Sequence, residues 1–322
     1  MVQERRREVS ASAPLPPPKV YNTKTKWNMK FNWGLHVMLL PGILLTLLFC
    51  YVPMFGIVIA FQDFKPWLGF AGSKWVGFDN FARFFSSGNS LNVLRNTLEI
   101  AVLKIVTGLA VPIIFALLLN EIRLTRLKKV VQTMVYLPHF LSWVILAGIL
   151  KDILSVDGGV VNRAFQILTG KPIFFFGDGF WFRVAVIISN IWKEFGFSTI
   201  VYLAALTAVD PSLYEAAMID GAGRWKQTIH VTLPSIQPIL VVMLTLSLGN
   251  VLNAGFDQIY NLYTPMVYDK GDIIDTFVYR TAIIQANMSY GAAVGLFKSA
   301  ISLILIVASY WMADKFANYR IF

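Results

Sequence analysis

The chain has 322 residues, of which 56% are hydrophobic and 14% are charged, whereas a soluble domain has roughly 25% charged residues. This composition excludes an ordinary soluble protein and predicts an all-α integral membrane protein, because a chain that faces lipid must pair its backbone groups within helices. The net charge of +10 is typical of a membrane protein with Lys and Arg retained on its cytoplasmic side. The sequence has no module of interleaved basic and aromatic residues that would indicate binding to nucleic acid.

The first segment, residues 1–31, is polar and irregular. It contains the basic cluster Arg5–Arg7 and a proline-rich run at 14–18. Such a composition buries too little apolar surface to form a core, so the segment is predicted to be a disordered, basic, cytoplasmic tail. The apolar run that follows begins near residue 35, too far along the chain for a cleavable signal peptide. The remaining residues, 32–322, are predicted to form one transmembrane domain.

Six apolar stretches follow the tail. Each is long enough for the roughly 20 residues with which a helix crosses the bilayer, and prolines inside several of them predict local kinks. Irregular backbone cannot face lipid, so all six are predicted to be transmembrane helices. They run at about 35–61, 97–119, 134–154, 182–206, 236–256 and 291–312.

The distribution of basic residues predicts the orientation of these helices. If the N-terminus is cytoplasmic, the tail and the segments 120–133, 207–235 and 313–322 lie inside and hold 15 of the 28 Lys and Arg residues, whereas the outer segments and span edges hold 11. The inner stretches nearest the first spans are the most densely basic, and these stretches have the largest influence on orientation. We therefore predict that both termini, and the loop after the fourth span, are cytoplasmic.

The loop at 208–234 has a punctuated pattern between two apolar runs. The dipeptide Asp210-Pro211 predicts a helix start, with an Asp cap and Pro at the first helical position. Gly221 can adopt the left-handed geometry that ends such a helix, and a second short helix is predicted over about 224–229. The pattern indicates two short helices hinged at Asp220–Ala222. They form either a knob that inserts into a groove of another protein or a plain linker between spans.

Three short motifs occur in this loop in a fixed order: Glu-Ala-Ala, then Asp-Gly-Ala, then Leu-Pro. Their spacing resembles that of the cytoplasmic EAA loop of binding-protein-dependent ABC importer permeases. Thr228 and Val231 depart from the family pattern, in which Phe and Ile are common, and leave the packing of the second helix open. The matching residues are Glu215, Ala216, Ala217, Asp220, Gly221, Ala222, Leu233 and Pro234.

The resemblance extends from the first apolar stretch to the last. Residues 75–81 resemble a stretch of the sugar-importing permeases, and residues 271–280 resemble the branch that imports alginate and pectin-derived fragments. In that family the loop docks into a cleft of an ATPase subunit and transmits ATP-driven closure to the spans. The resemblance implies an alternating-access permease of the bacterial cytoplasmic membrane that imports oligo- or polysaccharides.

The same resemblance implies a set of partners. They are a second permease subunit in a heterodimer, two ATPase subunits that bind ATP and Mg, an extracytoplasmic solute-binding protein and membrane lipid. The chain has no G-x-x-x-x-G-K-[ST] loop of its own, so it is predicted to be non-catalytic and without a cofactor. No metal site is predicted either, since Cys50 is the only cysteine and the three histidines are scattered.

Ionisable residues within the spans are candidates for the solute pathway, because a charge at mid-bilayer is costly and marks a functional position. Lys193 and Glu194 lie near the middle of the fourth span, where they either line the pathway or neutralise each other. Lys298 lies about 10 Å into the sixth span at 1.5 Å per residue, where it either snorkels outward or meets an anionic solute. The two lysines favour an acidic glycan over a neutral one.

A polar stripe is predicted along the fifth span. Asn250, Asn253 and Asp257 follow one another at spacings of three and four, which places them on one face of a helix. Such a stripe either forms hydrogen bonds to neighbouring helices or lines a wet cavity. Tyr260, just beyond it, suits sugar recognition together with these side chains, so all four residues are candidates for the pathway.

Three alternatives stay open. The first is the same machine carrying peptides or amino acids, and only the stretches at 75–81 and 271–280 argue against it. The second is a membrane enzyme of polysaccharide assembly, which predicts catalytic carboxylates or a nucleotide site. The third is a secondary carrier, which predicts paired repeats and has no need of the loop at 208–234.

Overall fold

The computed structural model describes residues 33–317, so the predicted tail at 1–31 lies outside the described residues. By its internal contacts the chain divides into two units, one up to Met54 and one from Phe55 onward. The first apolar stretch contains α1 (Trp33–Thr46), a wide π-helical turn (Leu47–Tyr51) and a 3-10 helix (Val52–Phe61).

Five continuous helices within residues 33–317 are long and apolar enough to cross a membrane. A sixth candidate is a bent pair, in which Thr125–Phe140 and Trp143–Leu154 meet at 102°. Five of the six predicted spans therefore correspond to continuous helices and one to a broken pair, and the helix of the fifth span ends at Gly249, before the predicted end at 256. The continuous helices are His36–Phe61, Gly88–Glu121, Gly179–Thr207, Arg224–Gly249 and Met288–Trp311.

The break in the third predicted span has a local cause. Pro138 has no backbone N–H to donate, and it lies in a 3-10 turn that follows α5 (Thr125–Tyr136). Ser142 then caps α6 (Trp143–Leu154), and its hydroxyl accepts a hydrogen bond from the Ile145 N–H at 3.3 Å. The stretch at 134–154 thus contains a sharp turn in place of a local kink.

The centre of the second unit is the packing of two long helices, α4 (Gly88–Glu121) and α8 (Gly179–Thr207). The Thr199 hydroxyl on α8 donates to the Pro112 carbonyl on α4 at 3.4 Å. Gly196 lies against the backbone of α5, where any Cβ would overlap the Val135 carbonyl. Close backbone approach at a small residue holds the fourth span against its neighbours.

Short elements connect the spans. Strand β1 (Gln62–Asp63) pairs antiparallel with β2 (Lys74–Trp75), and the Phe61 ring stacks on Trp75 with centroids 5.8 Å apart. Further 3-10 turns lie at Leu137–Phe140 and Pro265–Val267, and π-helical turns at Thr228–Thr232 and Arg280–Ile284. The remaining helices are α2 (Gly69–Gly72), α3 (Asp79–Ser86), α7 (Val160–Thr169), α9 (Pro211–Ile219), α10 (Arg224–Gln227), α11 (Leu233–Gly249), α12 (Phe256–Leu262), α13 (Tyr268–Gly271), α14 (Ile274–Tyr279) and α15 (Met288–Ala317).

Candidate functional site

The fifth predicted span is interrupted in the region where polar side chains are expected. Helix α11 ends at Gly249, the chain turns through 250–255, and α12 begins at Phe256. Gly255 has a φ of +96°, in the left-handed region that favours glycine, and a Cβ there would lie 2.6 Å from Nζ of Lys104. The backbone angle therefore favours glycine at this break, whereas the flexible Lys104 side chain could shift to make room for a Cβ.

Lys104, on α4, reaches across to the break. Its Nζ donates to the Ala254 carbonyl at 2.7 Å and to Oε1 of Gln258 at 2.5 Å. Gln258 is fully buried, and its amide nitrogen donates to the Val186 carbonyl at 2.7 Å and to the Ser189 hydroxyl at 2.8 Å. The helix break is thus tied to α4 and α8 by a hydrogen-bond network in which Lys104 is the ionisable member.

A cavity of about 330 Å³ opens beside this network, and we call it the polar chamber. Its walls come from α4, from α8, and from the end of α11 with the turn after it. Polar side chains face it from all three walls, as a wet solute pathway between apolar helices requires. The polar residues that line it are Lys104, Asn190, Glu194, Ser198, Ser247, Asn250 and Asn253.

Three of the predicted pathway residues, Glu194, Asn250 and Asn253, line the polar chamber. The two asparagines contact each other, with the amide nitrogen of Asn253 donating to Oδ1 of Asn250 at 3.2 Å. The prediction that they share one helical face with Asp257 is wrong, because α11 ends before them and Asp257 lies exposed on α12. Neither Asp257 nor Tyr260 lines the chamber, and the Tyr260 ring packs instead against aromatic rings of α12 and α14.

Lys193 does not line the chamber, although it is next to Glu194 in the sequence. It is buried, and its Nζ donates to the His139 carbonyl. Its Nζ also lies 3.6 Å from the Glu194 carboxylate, whose Oε2 is 2.8 Å from Nδ1 of His139. The two residues therefore have different roles: Glu194 faces the cavity, and Lys193 balances its charge from behind.

Lys298, on α15, is paired in the structure. Its Nζ lies 2.6 Å from Oδ1 of Asp275 and 2.9 Å from Oδ1 of Asn253. It therefore holds a chamber residue in place while a carboxylate on α14 balances its charge.

Lys104 is a functional candidate that the sequence prediction omits. It is a cation inside the second predicted span, at 97–119, and the cost of a charge at mid-bilayer applies to it as it does to Lys193. The same criterion could have selected both lysines.

The loop after the fourth span begins with α9. Asp210 caps this helix, and its Oδ1 accepts a hydrogen bond from the Ser212 N–H at 2.9 Å, which lowers the pKa of the Asp210 carboxyl. Gly221 has a φ of +74°, and the Ala222 N–H donates to the Ala217 carbonyl at 2.9 Å. The predicted helix start and its left-handed end are both confirmed.

The second part of the loop differs from the separate helix predicted over 224–229. Helix α10 passes through the π-helical turn Thr228–Thr232 into α11, so that Arg224–Gly249 is one continuous helix. Thr228 and Val231, the two departures from the family pattern, both lie in this turn. This continuous helix therefore connects the second part of the loop to the edge of the polar chamber.

The first part of the loop presents an exposed knob, which we define as residues 211–222. Glu215 is exposed on it, and so are large apolar side chains, of which Ile219 is 87% exposed. The Tyr214 hydroxyl lies 3.0 Å from the Thr232 hydroxyl, and the Gln227 amide donates to a carbonyl of the hinge at 2.8 Å. An apolar surface held in one position by such contacts is suited to bind another protein.

The chain matches one protein-family model, described as the binding-protein-dependent transport system inner membrane component, over residues 108–318. This match covers more than half of the chain and contains the knob and most of the polar chamber. The chain belongs to this permease family. The family predicted from the loop is therefore confirmed, and a membrane enzyme of polysaccharide assembly and a secondary carrier are no longer alternatives.

Two similar proteins come from Bacillus subtilis (strain 168). The polygalacturonan/rhamnogalacturonan transport system permease protein YteP is 47% identical over 288 residues, which are 89% of this permease and 90% of YteP. The protein LplB is 45% identical over 294 residues, which are 91% of this permease and 92% of LplB. The likeness therefore spans nearly the whole of each chain.

Two solved structures have the same fold. One is a bacterial ABC transporter involved in the import of the acidic polysaccharide alginate, with 39% identity and a TM-score of 0.82 over 88% of this permease and 96% of that chain. The other is a bacterial alginate ABC transporter in complex with an alginate pentasaccharide-bound periplasmic protein. It has 38% identity and a TM-score of 0.82 over 90% of this permease and 96% of that chain. The permease is thus an integral membrane protein with the fold of these transporter subunits.

Proposed function

We propose that this permease imports acidic oligosaccharides, of the pectin or alginate type, through the polar chamber by alternating access. The observation that carries the proposal is the chamber itself, a cavity of about 330 Å³ between apolar spans, lined by amides, hydroxyl groups, a carboxylate and an amine. Amides and carboxylates form directional hydrogen bonds with sugar hydroxyl groups, and the surrounding apolar side chains do not.

The charges around the chamber favour an anionic solute. Among the described residues, Lys104 donates only to neutral oxygen atoms, and the carboxylate that interacts with its charge, Glu194, forms no hydrogen bond with it. Lys298 is balanced by Asp275, and Lys193 balances Glu194. A carboxylated sugar in the chamber would pair with Lys104, and a cation withdrawn from water favours such a partner. The glycans named for the similar proteins, polygalacturonan and alginate, support this choice.

The proposal extends to a complex with the predicted partners. The periplasmic protein bound to the alginate transporter supports a solute-binding protein on the outer side. The exposed knob around Glu215 supports docking of the loop at 208–234 into an ATPase subunit, where ATP and Mg bind. The continuous helix Arg224–Gly249 supports transmission of ATPase closure to the chamber. A second permease subunit would complete the pathway.

The substrate is tested with the permease reconstituted with its natural partners. Binding protein loaded with galacturonate oligomers is expected to stimulate ATP hydrolysis by about tenfold, within the usual range of coupling between two sites. Galactose oligomers of the same length and short peptides serve as matched controls and are expected to give no stimulation. Equal stimulation by the neutral oligomers would contradict acidic selectivity, and stimulation by peptides alone would contradict sugar import.

The orientation is tested by cysteine labelling. In a background in which the exposed Cys50 is replaced by Ser, Ser212→Cys should react with a membrane-impermeant maleimide only from the cytoplasmic side. Ser86→Cys should react only from outside, since the basic residues place 62–96 there. Both serines are exposed, so access across the membrane alone decides the labelling. The reverse pattern would place the knob on the side that has no ATP.

A further inference from the structure

A second polar cavity lies apart from the chamber, in segments that the orientation places on the outer side. It has a volume of about 250 Å³ and forms where the connection between α3 and α4 meets the turn between α14 and α15. None of its described lining residues is a carboxylate. We call this cavity the outer pocket, and its principal polar residues are Arg83, Asn89, Arg280, Gln285, Asn287 and Tyr290.

Arg83 gives the outer pocket its net positive charge. The residue is exposed, and its guanidinium lies 4.8 Å from the centre of the Tyr290 ring. No carboxylate among residues 33–317 accepts a hydrogen bond from its side chain. The Tyr290 ring is itself fixed, because it is buried, its hydroxyl lies 3.3 Å from the Ser90 hydroxyl, and it contacts the Phe277 ring in a T-shaped arrangement. Arg83 therefore rests on a rigid aromatic platform with its donors available to a ligand.

Arg280 is held differently. Its guanidinium forms a two-point contact with the buried carboxylate of Asp272 and lies 4.2 Å from the centre of the Tyr268 ring. These bonds fix its position and balance its charge, but they use only two of the five N–H donors of a guanidinium. Arg280 thus contributes oriented donors to the pocket, and Arg83 contributes the unbalanced charge.

The two amides of the pocket, Gln285 and Asn287, flank an unusual turn. Between them, Ala286 has a φ of +55° and is the one non-glycine residue with positive φ in the described chain. Their backbone N–H groups are bound to carbonyls of the preceding π-helical turn at 2.9 and 3.0 Å. Gly291 packs so closely on Ala282 that a Cβ at Gly291 would lie 2.5 Å from the methyl carbon of Ala282. The turn is held in a conformation that alanine rarely adopts, and such conformations occur most often at functional sites.

We infer that the outer pocket binds one acidic sugar unit of the glycan before the glycan enters the chamber. The sugar carboxylate would meet Arg83 and the free donors of Arg280, and the amides would meet its hydroxyl groups. The inference rests on the proposed function, which supplies an acidic glycan as the solute.

The size and position of the pocket support this occupant. Its volume is just below the roughly 300 Å³ at which small-molecule sites begin, so it suits a single sugar unit. A contact with a protein surface would not need such a concave site. The segment 274–281 lines the outer pocket and is linked to the chamber through Lys298. Asp275 on it pairs with Lys298, which contacts the chamber residue Asn253, and Arg280 at its end lines the outer pocket.

The test measures direct binding of sodium galacturonate and of galactose to the purified full complex without its binding protein, by saturation-transfer NMR. Galacturonate should bind more tightly than galactose, and Arg83→Gln should weaken its binding by about tenfold, as expected for the loss of one charge-assisted hydrogen bond. Arg163→Gln removes another exposed arginine that does not line the pocket and should leave the binding unchanged. Lys104→Gln changes the chamber alone, so any galacturonate binding that this variant loses takes place in the chamber. It should retain the binding that Arg83→Gln loses.

Three results would overturn the inference. They are absence of galacturonate binding, equal affinity for galactose, and equal galacturonate binding by the wild type and Arg83→Gln. A fourth is weaker docking of the loaded binding protein to Arg83→Gln with unchanged galacturonate binding, which would make the pocket a protein contact. In all four cases the stimulation of ATP hydrolysis by acidic oligomers could persist, so failure of this inference is distinguishable from failure of the proposed function.

Discussion

Gly221→Pro and Glu215→Lys should leave the permease in the membrane but lower binding-protein-stimulated ATP hydrolysis to nearly its unstimulated rate. Proline fixes φ near about −65° and has no N–H, whereas Gly221 has a φ of +74° and donates to the Met218 carbonyl at 3.1 Å. The proline would therefore disrupt the end of α9 and displace the knob. Glu215 is exposed, so its reversal changes the docking surface without disturbing a buried contact. Stimulated ATP hydrolysis in the reconstituted complex measures both effects.

Two further variants serve as controls for this prediction. Gly221→Ala keeps the N–H and adds left-handed strain of about 1–2 kcal/mol, so it should reduce coupling only in part. Asp157→Lys reverses an exposed carboxylate in a segment that the basic-residue count places outside, and it should couple normally. If loaded binding protein stimulated ATP hydrolysis as strongly in both Gly221→Pro and Glu215→Lys as in the wild type, the knob would not be the ATPase contact.

The knob is the part of the structure that the sequence predicts best. Its helix is capped by Asp210, begins at Pro211 and ends at Ile219, just before the left-handed Gly221, as the capping rules for those residue types predict. These rules act over three or four neighbouring residues, so they can be read without knowledge of the tertiary fold. The second part of the loop continues into α11 because no such stop signal precedes the π-helical turn at Thr228–Thr232.

The interior of the bundle could be predicted only in part, because its contacts are distant in sequence. Lys298 pairs with Asp275, 23 residues away, and Lys104 reaches a carbonyl 150 residues away. The position at which α11 ends also depends on such a distant contact, because Lys104 donates a hydrogen bond to the turn that follows Gly249. Hydropathy predicts where a span lies, but it does not indicate where a partner on another helix allows that span to be interrupted.

Lys104→Gln should lower uptake of galacturonate oligomers by at least about tenfold. The amide can still donate to the oxygen atoms at the helix break, but it has no charge to pair with a uronate carboxylate. A hydrogen bond to a charged group contributes about 1.5–3 kcal/mol, which corresponds to roughly ten- to hundredfold in binding. Lys104→Arg keeps the charge and should retain most of the uptake. Initial uptake rates into proteoliposomes that contain the full complex measure these effects.

The decisive comparison is between free galacturonate oligomers and the fully methyl-esterified oligomers of the same length, which have no negative charge. If Lys104 recognises the carboxylate, Lys104→Gln lowers uptake of the free oligomers and leaves the low uptake of the esters unchanged. If Lys104 only ties α4 to the break beside Gly255, uptake of both falls equally, and the acidic selectivity must come from elsewhere. Lys193→Gln provides the matched control, because Lys193 is also a cation within a span but does not line the chamber. Its neutralisation should affect free and esterified oligomers to the same degree, through the position of Glu194.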